Sequence, residues 1–209
     1  MHNQRSMSAP YKFIYLASQS PRRRQLLDQI GVAYQLLLPD RNENIEALEE
    51  ERSREAPRDY VHRVARLKLD AARRRLAKRK LPEAPILCSD TTVALGRRIL
   101  GKPADPDAAR AALKALAGRT HRVLTAVCVS SGPHNLVALN ESKVRFAELS
   151  DLAITRYVNS GEPQGKAGSY AIQSQAAQWV QRIEGSYSGI MGLPLYETAQ
   201  LLRQAGVMF

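Results

Sequence analysis

Cysteines are few in this chain and long apolar segments are missing, and both shortages narrow its class. The two cysteines, Cys88 and Cys128, lie in separate apolar runs, with no CxxC pair and no histidine at a metal-ligand spacing. We therefore expect buried thiols in a reducing compartment and no zinc site. Residues 1–12 lack the apolar segment of a signal peptide, and no later stretch is as long as a membrane span. The sequence predicts a cytoplasmic protein with no membrane partner.

The motifs of several nucleotide-binding and hydrolytic classes are also missing. The chain has no GxxxxGK[ST] phosphate loop and no dinucleotide glycine motif. Both absences disfavour a kinase, a P-loop ATPase and an NAD enzyme. The four histidines show no pattern around a serine or cysteine elbow, so a nucleophilic triad has little support.

Acidic residues are scarce relative to basic ones, with 20 Asp and Glu against 31 Lys and Arg and a formal net charge of +11. That balance invites a nucleic-acid interpretation. The basic residues concentrate at 22–24 and 73–80, and no aromatic residue interrupts the second segment, RRRLAKRK. Stacking on single strands would need such aromatics. We predict that 73–80 is a solvated helix end and that the protein has no nucleic-acid partner.

The length of 209 residues and the hydrophobic content of 44% suit one domain with a real core. We expect a single domain over 1–209, in which 1–10 is a loose N-terminal extension and Met7 an alternative start. Residues 40–56 alternate in charge and predict a mobile or exposed loop. The remaining patterns predict strands at 12–17, 32–38, 84–95, 121–130, 136–149 and 178–183, a hairpin return at 99–103, and helices at 21–30, 59–76, 105–118, 150–158 and 195–205.

The order of these elements indicates the fold class. Strands and helices alternate in the first half of the chain, whereas several later strands follow one another as hairpins. We therefore predict an α/β fold with a mixed central sheet flanked by helices, in preference to a purely parallel sheet.

Five charged residues violate the local rules of the predicted elements. Arg22 and Arg23 lie in the first turn of a helix, where the dipole disfavours cations unless an anion is near. Lys68 lies on an apolar helix face, from which it either extends to solvent or reaches into a cleft. Asp90 lies inside an apolar strand, and Lys102 lies in a Gly-Lys-Pro turn. Together they suit a polyphosphate with a divalent metal and favour a phosphate-handling enzyme over a binding module.

Six motifs give the chain a resemblance to a known family. In order, they are LASQSPRR (16–23), SDTTV (89–93), GKP (101–103), GKAGSYAIQ (165–173), GSY (185–187) and GLPLYET (192–198). This set resembles the Maf family of nucleotide pyrophosphatases over nearly the whole chain. The resemblance implies a fold like that of inosine triphosphate pyrophosphatases, with a cleft between two lobes, and a homodimer. It also implies hydrolysis of a nucleoside triphosphate to the monophosphate and pyrophosphate with Mg²⁺ or Mn²⁺.

The resemblance also implies a role for individual positions. Asp90 corresponds to the proton acceptor for the attacking water and to a metal ligand, which agrees with general-base chemistry beside a metal ion. A family glutamate after the second strand also assists the metal, and Glu43 is its best match in a stretch, DRNEN, that departs from the family pattern. The positions matched to phosphate binding are Ser18, Arg22, Arg23, Lys68 and Lys102.

Substrate choice is implied by the residues after GKAGSYA. Ile172 and Gln173 match the branch that acts on dTTP and UTP, whereas the branch acting on 7-methylguanosine triphosphate has a glutamate-containing stretch. A glutamine amide offers one donor and one acceptor, which match N3–H and O4 of uracil or thymine. Arg22 and Thr91 are also linked to specificity. SQAAQW replaces the family's glycine-rich turn, and Ala176 and Ala177 are expected to narrow or stiffen the base pocket.

Two alternative functions remain open at this point. One is the 7-methylguanosine triphosphate branch of the same chemistry. The other is a non-catalytic nucleotide-binding regulator of cell division. Asp90 argues against a pure binder, because binding alone does not need a costly carboxylate inside a strand.

Overall fold

A mixed seven-stranded sheet forms the centre of residues 10–209, the part of the chain that the computed structural model describes. The expected extension at 1–10, apart from Pro10, and the alternative start at Met7 lie outside the described residues. The strands are β1 (Ile14–Leu16), β2 (Tyr34–Leu36), β3 (Ile86–Leu95), β4 (Arg98–Leu100), β5 (Thr120–Ser131), β6 (His134–Phe146) and β7 (Val180–Glu184).

The pairing of the strands confirms the predicted fold class. Their order is β2-β1-β3-β5-β6-β7, and β4 pairs with β3 outside that path. β1 is parallel to both β2 and β3. The other four pairs are antiparallel, and two of them, β3 with β4 and β5 with β6, are consecutive strands joined by short turns. The sheet is therefore mixed.

Six α-helices and three short 3₁₀ helices accompany the sheet in the described residues. All five predicted helices are present, whereas the shortest α-helix and the 3₁₀ turns were not predicted. The α-helices are α1 (Pro21–Gln29), α2 (Pro57–Lys78), α3 (Pro106–Leu116), α4 (Asp151–Asn159), α5 (Tyr187–Met191) and α6 (Leu195–Gln204), and the 3₁₀ helices are Glu46–Glu49, Ala167–Ser169 and Gln175–Trp179. Within residues 10–209, every helix falls short of the length and apolarity needed to cross a membrane.

The turn from β1 into α1 places the hydroxyl of Ser18 next to the start of α1. Pro21 begins the helix, and Gly31, at φ +70°, takes the left-handed conformation that follows its end. The backbone N–H of Ser20 donates to Oγ of Ser18 at 3.2 Å. This turn places Ser18 beside the first helical turn, which carries Arg22 and Arg23.

Helix α2 is the longest helix of the described residues and lies across β3 and β5. Each valine or leucine that α2 buries against these strands stabilises the fold by about 1.5–3 kcal/mol relative to an exposed side chain, so the position of the helix is well fixed. The hydrophobic cluster that α2 forms with β3 and β5 includes the buried residues Val61, Val64, Leu69, Ala72, Ile86, Cys88, Leu124 and Cys128. This packing determines which polar side chains of α2 face the end of the sheet.

The basic segment 73–80 departs from its prediction at one residue. Arg74, Lys78, Arg79 and Lys80 are exposed, as expected for a solvated helix end. Arg75 is only 4% exposed. Its guanidinium is buried because it pairs with the carboxylate of Glu43 and donates to the carbonyl of Leu37 at 2.8 Å. The prediction of a uniformly solvated segment is therefore wrong for Arg75.

The two cysteines are buried free thiols, as predicted. They lie directly opposite each other on the antiparallel strands β3 and β5. Burial raises the pKa of Cys88 and of Cys128 to about 12. Both therefore remain protonated at neutral pH and have little thiolate reactivity.

Candidate active site

All the sequence-predicted site residues line one cleft of about 800 Å³. The start of α1, the loop after β2, helix α2, strand β3 and the loop before β7 each contribute to its wall. The cleft contains Ser18, Arg22, Arg23, Glu43, Lys68, Asp90, Thr91, Lys102 and Gln173. Residues from distant parts of the sequence thus meet in one cavity, while their individual roles remain predictions.

Arg23 is held in a fixed orientation at one side of the cleft. Its Nε donates to the carbonyl of Gly192 at 2.8 Å, and its Nη1 donates to Oγ of Ser18 at 3.2 Å. Its Nη2 donates to Oγ1 of Thr91 at 3.4 Å. Burial lowers the pKa of Arg23, although an arginine stays charged in proteins. The result is a pre-oriented cation suited to phosphate oxygens.

The hydroxyl of Thr125 fixes the orientation of the Thr91 hydroxyl. Oγ1 of Thr125 donates to the carbonyl of Gly189 at 2.7 Å and lies 3.0 Å from Oγ1 of Thr91. A hydroxyl has one hydrogen, so Thr91 must donate to Thr125. The lone pairs of Thr91 are then left to accept from Arg23. Thr125 was not identified from the sequence, where it looks like an ordinary strand residue.

Lysines and carboxylates alternate across the cleft. Nζ of Lys68 lies 2.6 Å from Oδ1 of Asp90 and 2.7 Å from Oε1 of Glu49. Nζ of Lys102 lies 2.6 Å from Oε2 of Glu49. Asp90 is only 6% exposed, and a buried carboxylate is costly unless it is paired. Lys68 provides that partner. Of the two interpretations of Lys68, the structure supports the one in which it reaches into a cleft.

The charges of this group stabilise each other. Burial lowers the pKa of Lys68, but the carboxylates of Asp90 and Glu49 outweigh burial and raise it above its ordinary value. Burial raises the pKa of Glu49, but the ammonium groups of Lys68 and Lys102 outweigh burial and lower it. Both groups are therefore ionised at neutral pH.

The carboxylate that accompanies Asp90 is Glu49, which the sequence analysis missed. Both oxygens of Glu43, the predicted residue, accept from Arg75 at 2.9 and 2.7 Å. That hydrogen bonding lowers the pKa of Glu43 to about 2. The geometry therefore favours Glu49 as the second metal carboxylate, and the role of Glu43 stays a prediction. The segment 40–56 contains several glutamates, and only the three-dimensional path of the loop distinguishes them.

The donor set of the cleft suits a divalent cation that also binds substrate. Within residues 10–209, no three histidine, cysteine or carboxylate side chains are grouped as in an all-protein metal cage. Mg²⁺ is commonly held by one or two carboxylates together with substrate phosphates. Asp90 and Glu49 share Lys68 and offer two hard oxygen ligands on one cleft. These residues fit Mg²⁺ or Mn²⁺ completed by phosphate oxygens.

Gln173 also lines the cleft, and it lies on an irregular segment. Its side chain is exposed, whereas Ile172 beside it is 3% exposed. The segment is held at Tyr170, whose hydroxyl shares a 2.8 Å hydrogen bond with Nε2 of His121. It is held again at Ser174, whose hydroxyl donates to the carboxylate of Glu162. Two anchored residues thus flank the position matched to base recognition.

The two alanines of SQAAQW do not narrow the cleft directly. Ala176 and Ala177 lie in the 3₁₀ helix Gln175–Trp179 and are not among the described residues that line the cavity. Ala176 is buried in a hydrophobic cluster with Trp179. The expectation of a narrowed pocket is therefore wrong, while the alternative, that the two alanines stiffen the pocket, stays a prediction.

The comparisons with known proteins identify the family. The family model described as "Maf: Maf-like protein" matches residues 13–205. The chain belongs to the Maf family, as its motifs predicted.

Curated relatives extend along most of the chain. A protein named "dTTP/UTP pyrophosphatase" from Cupriavidus pinatubonensis is 61% identical over 201 residues, which are 95% of this chain and 100% of that protein. One of the same name from Burkholderia pseudomallei is 59% identical over 95% of this chain and 96% of its own length. A solved structure of "Nucleoside-triphosphatase / dITP/XTP pyrophosphatase" from Mycobacterium abscessus matches with a TM-score of 0.39 and 16% identity, over 65% of this chain and 75% of that one.

Proposed function

We propose that this protein hydrolyses dTTP and UTP to the nucleoside monophosphate and pyrophosphate. The observation that carries the proposal is the shared cleft, in which Asp90 and Arg23 lie in the same cavity as Gln173. Relatives named dTTP/UTP pyrophosphatase at 61% identity support the same substrates. Modified pyrimidine triphosphates with an intact O4 and N3–H belong to the same substrate class.

The cations of the cleft bind the triphosphate. Arg23 is already fixed by Ser18 and Thr91, so it presents its guanidinium with little further ordering. Arg22 is half-buried beside it, with its Nε donating to the carbonyl of Met191 at 3.4 Å. Lys68 and Lys102 are held by Glu49, and phosphate oxygens compete with that carboxylate for them. These contacts neutralise the charge of the substrate and of the leaving pyrophosphate.

Asp90 acts as the general base in this proposal. It accepts a proton from water as the water oxygen attacks the α-phosphorus. The bond between that phosphorus and the oxygen bridging to the β-phosphorus breaks, and the bridging oxygen leaves with pyrophosphate. Asp90 and Glu49 would hold Mg²⁺ or Mn²⁺, which supplies positive charge and increases the acidity of nearby water. Lys68 orients Asp90 before substrate arrives, because its Nζ donates to Oδ1 of Asp90 at 2.6 Å.

Gln173 selects the base. Its amide donates one hydrogen bond and accepts another, which complements O4 and N3–H of uracil and thymine. Cytosine has a donor at position 4 and an acceptor at position 3, so the same amide orientation cannot serve it. The exposed position of Gln173 on the cleft supports this role.

The proposal includes a cytoplasmic homodimer without a nucleic-acid partner. The pairing of basic residues near the end of α2 supports the last point, since Lys78 and Arg79 both pair with Asp40. Arg73 donates to the carbonyl of His134 at 2.7 Å and to Asn135 at 2.8 Å. Much of the basic segment is therefore already engaged within the chain.

A panel of nucleoside triphosphates with Mg²⁺ tests the function. We expect pyrophosphate release to be fastest with dTTP and UTP and to need the metal. Faster release from 7-methylguanosine triphosphate would move the chain to the other branch. Release of orthophosphate would contradict the cleavage site, and binding without hydrolysis would favour the regulator.

A further inference from the structure

Two side chains of α2 bind the backbone of the segment that carries Glu49. Nη1 of Arg63 donates to the carbonyl of Leu48 at 3.4 Å, and Nη2 donates to the carbonyl of Glu50 at 2.9 Å. The hydroxyl of Tyr60 donates to the carbonyl of Glu49 itself at 2.9 Å. Carbonyls at the end of a short helix lack helical partners and need others. Here three consecutive carbonyls take them from one neighbouring helix.

Arg63 is itself fixed by a second partner. Its Nε and Nη2 donate to the two carboxylate oxygens of Glu55, both at 2.6 Å. The side chains of Arg63 and Glu55 are only 16% and 10% exposed. The Tyr60 ring lies 5.6 Å from the guanidinium carbon of Arg63. The planar guanidinium of Arg63 is therefore bound both by Glu55 and by the backbone carbonyls, and the ammonium group of a lysine could not make the same set of hydrogen bonds.

Glu49 needs this support because its segment is irregular. Residues 37–56 contain one 3₁₀ turn, Glu46–Glu49, and no strand or α-helix. A residue in such a segment keeps backbone freedom unless neighbouring groups fix it. Lys68 binds the Glu49 carboxylate, while Tyr60 and Arg63 bind the backbone on both sides of it. Helix α2 thus fixes Glu49 at both its main chain and its side chain.

We propose that Arg63 and Tyr60 are positioning residues that hold Glu49 at the distance from Asp90 required for divalent-cation binding and hydrolysis. The inference rests on the proposed function and on the metal role of Glu49. Neither residue needs to touch the metal or the attacking water. Outer partners of metal ligands are typically worth about 10–100-fold in metal affinity or activity, which gives the expected scale.

The first test compares Arg63→Gln with Arg66→Gln, since Arg66 is exposed on the same helix and outside the cleft. We expect Arg63→Gln to lower kcat for dTTP by about 30-fold, with KM changed less than about threefold. Mn²⁺ affinity, measured without turnover by the paramagnetic resonance of free Mn²⁺, should fall by about tenfold. Arg66→Gln should match the parent protein in both measurements. Parent-like kcat and Mn²⁺ affinity in a folded Arg63→Gln variant would overturn the proposal.

Two milder variants keep the test informative if Arg63→Gln fails to fold. Tyr60→Phe deletes one hydroxyl without changing the ring, and we expect a fall in kcat of about fivefold, the size of one hydrogen bond. Arg63→Lys keeps the charge but loses the fork, and its kcat should lie between those of Arg63→Gln and the parent. Parent-like kcat and Mn²⁺ affinity in both variants would overturn the proposal.

A double-mutant cycle distinguishes positioning from a general structural effect. If Arg63 acts through Glu49, the Glu49→Gln/Arg63→Gln double variant should be no slower than Glu49→Gln alone. Multiplying losses would show that Arg63 acts elsewhere and would overturn the inference while leaving Glu49 in its role. Full activity of Glu49→Gln would overturn both the inference and the metal role of Glu49.

Discussion

The parts of the cleft proposed to bind the phosphates and the base, called the phosphate end and the base end, are built differently. At the phosphate end, Arg23 has three side-chain hydrogen bonds, and Lys68 lies between two carboxylates. Arg23, Lys68 and Asp90 come from α1, α2 and β3, which are packed on buried clusters. Glu49 lies in an irregular segment but is tied to α2 by Tyr60 and Lys68. At the base end, Gln173 is exposed on the segment between α4 and β7, which contains two short 3₁₀ helices and no α-helix or strand. Transition-state stabilisation requires groups fixed in advance, whereas base choice requires only one correctly placed amide.

This difference suggests how the family changes substrate. A loop residue between two anchors can be replaced without disturbing the packed elements beneath it. The anchors at Tyr170 and Ser174 keep the backbone in place while the residue between them changes. We therefore expect changes at the phosphate end to abolish hydrolysis and changes at the base end to redirect it.

The largest effect is expected from Asp90→Asn. An amide cannot accept the proton from water, so kcat for dTTP should fall by about a thousandfold. The cations that bind phosphate remain, so nucleotide affinity by calorimetry should change less than about threefold. Circular dichroism checks that the variant is folded. Unchanged turnover would show that Asp90 has no catalytic role and that the phosphate end does not determine the rate of hydrolysis.

A selective effect is expected from Gln173→Leu. Loss of both hydrogen bonds should lower kcat/KM for UTP relative to CTP by about tenfold, within the range for one base-edge contact. The maximal rate with saturating UTP should stay within about threefold, since the phosphate end is unchanged. Gln175→Leu, an exposed neighbour outside the cleft, serves as the control. An equal loss for UTP and CTP would show that Gln173 does not read the base.

The third prediction concerns the anchor behind the base end and is one of stability. Burial lowers the pKa of His121 to about 4, from 6.5 when unfolded. The unfolded chain therefore binds more protons between these values, so this contribution is present above pH 6.5 and is lost as the pH falls towards 4. It amounts to about 3 kcal/mol at most. His121→Gln should reduce the loss of melting temperature between pH 7 and 4.5, and a parallel loss in both proteins would contradict the assignment.

The fold was largely predictable because its signals are local. Pro21 and Gly31 delimit α1, and Asp105 caps α3 by accepting from the N–H of Ala108 at 2.7 Å. Helix α5 was missed because five residues containing Gly189 show no helical periodicity.

The site was predictable only where a motif or a violated rule marks the residue. Asp90 and Lys68 are conspicuous because a charge at an apolar position is costly. Glu49, Thr125 and His121 were missed, since a loop glutamate, a strand threonine and a core histidine are ordinary in sequence. Their importance comes from partners 19, 34 and 49 residues away. Such distant contacts exist only in the folded chain.

The fixed phosphate end is expected to direct water to the phosphorus nearest the nucleoside. Hydrolysis of dTTP in ¹⁸O-labelled water, followed by mass spectrometry of both products, tests it directly. We expect the label in the nucleoside monophosphate and none in pyrophosphate. Label in pyrophosphate would contradict it.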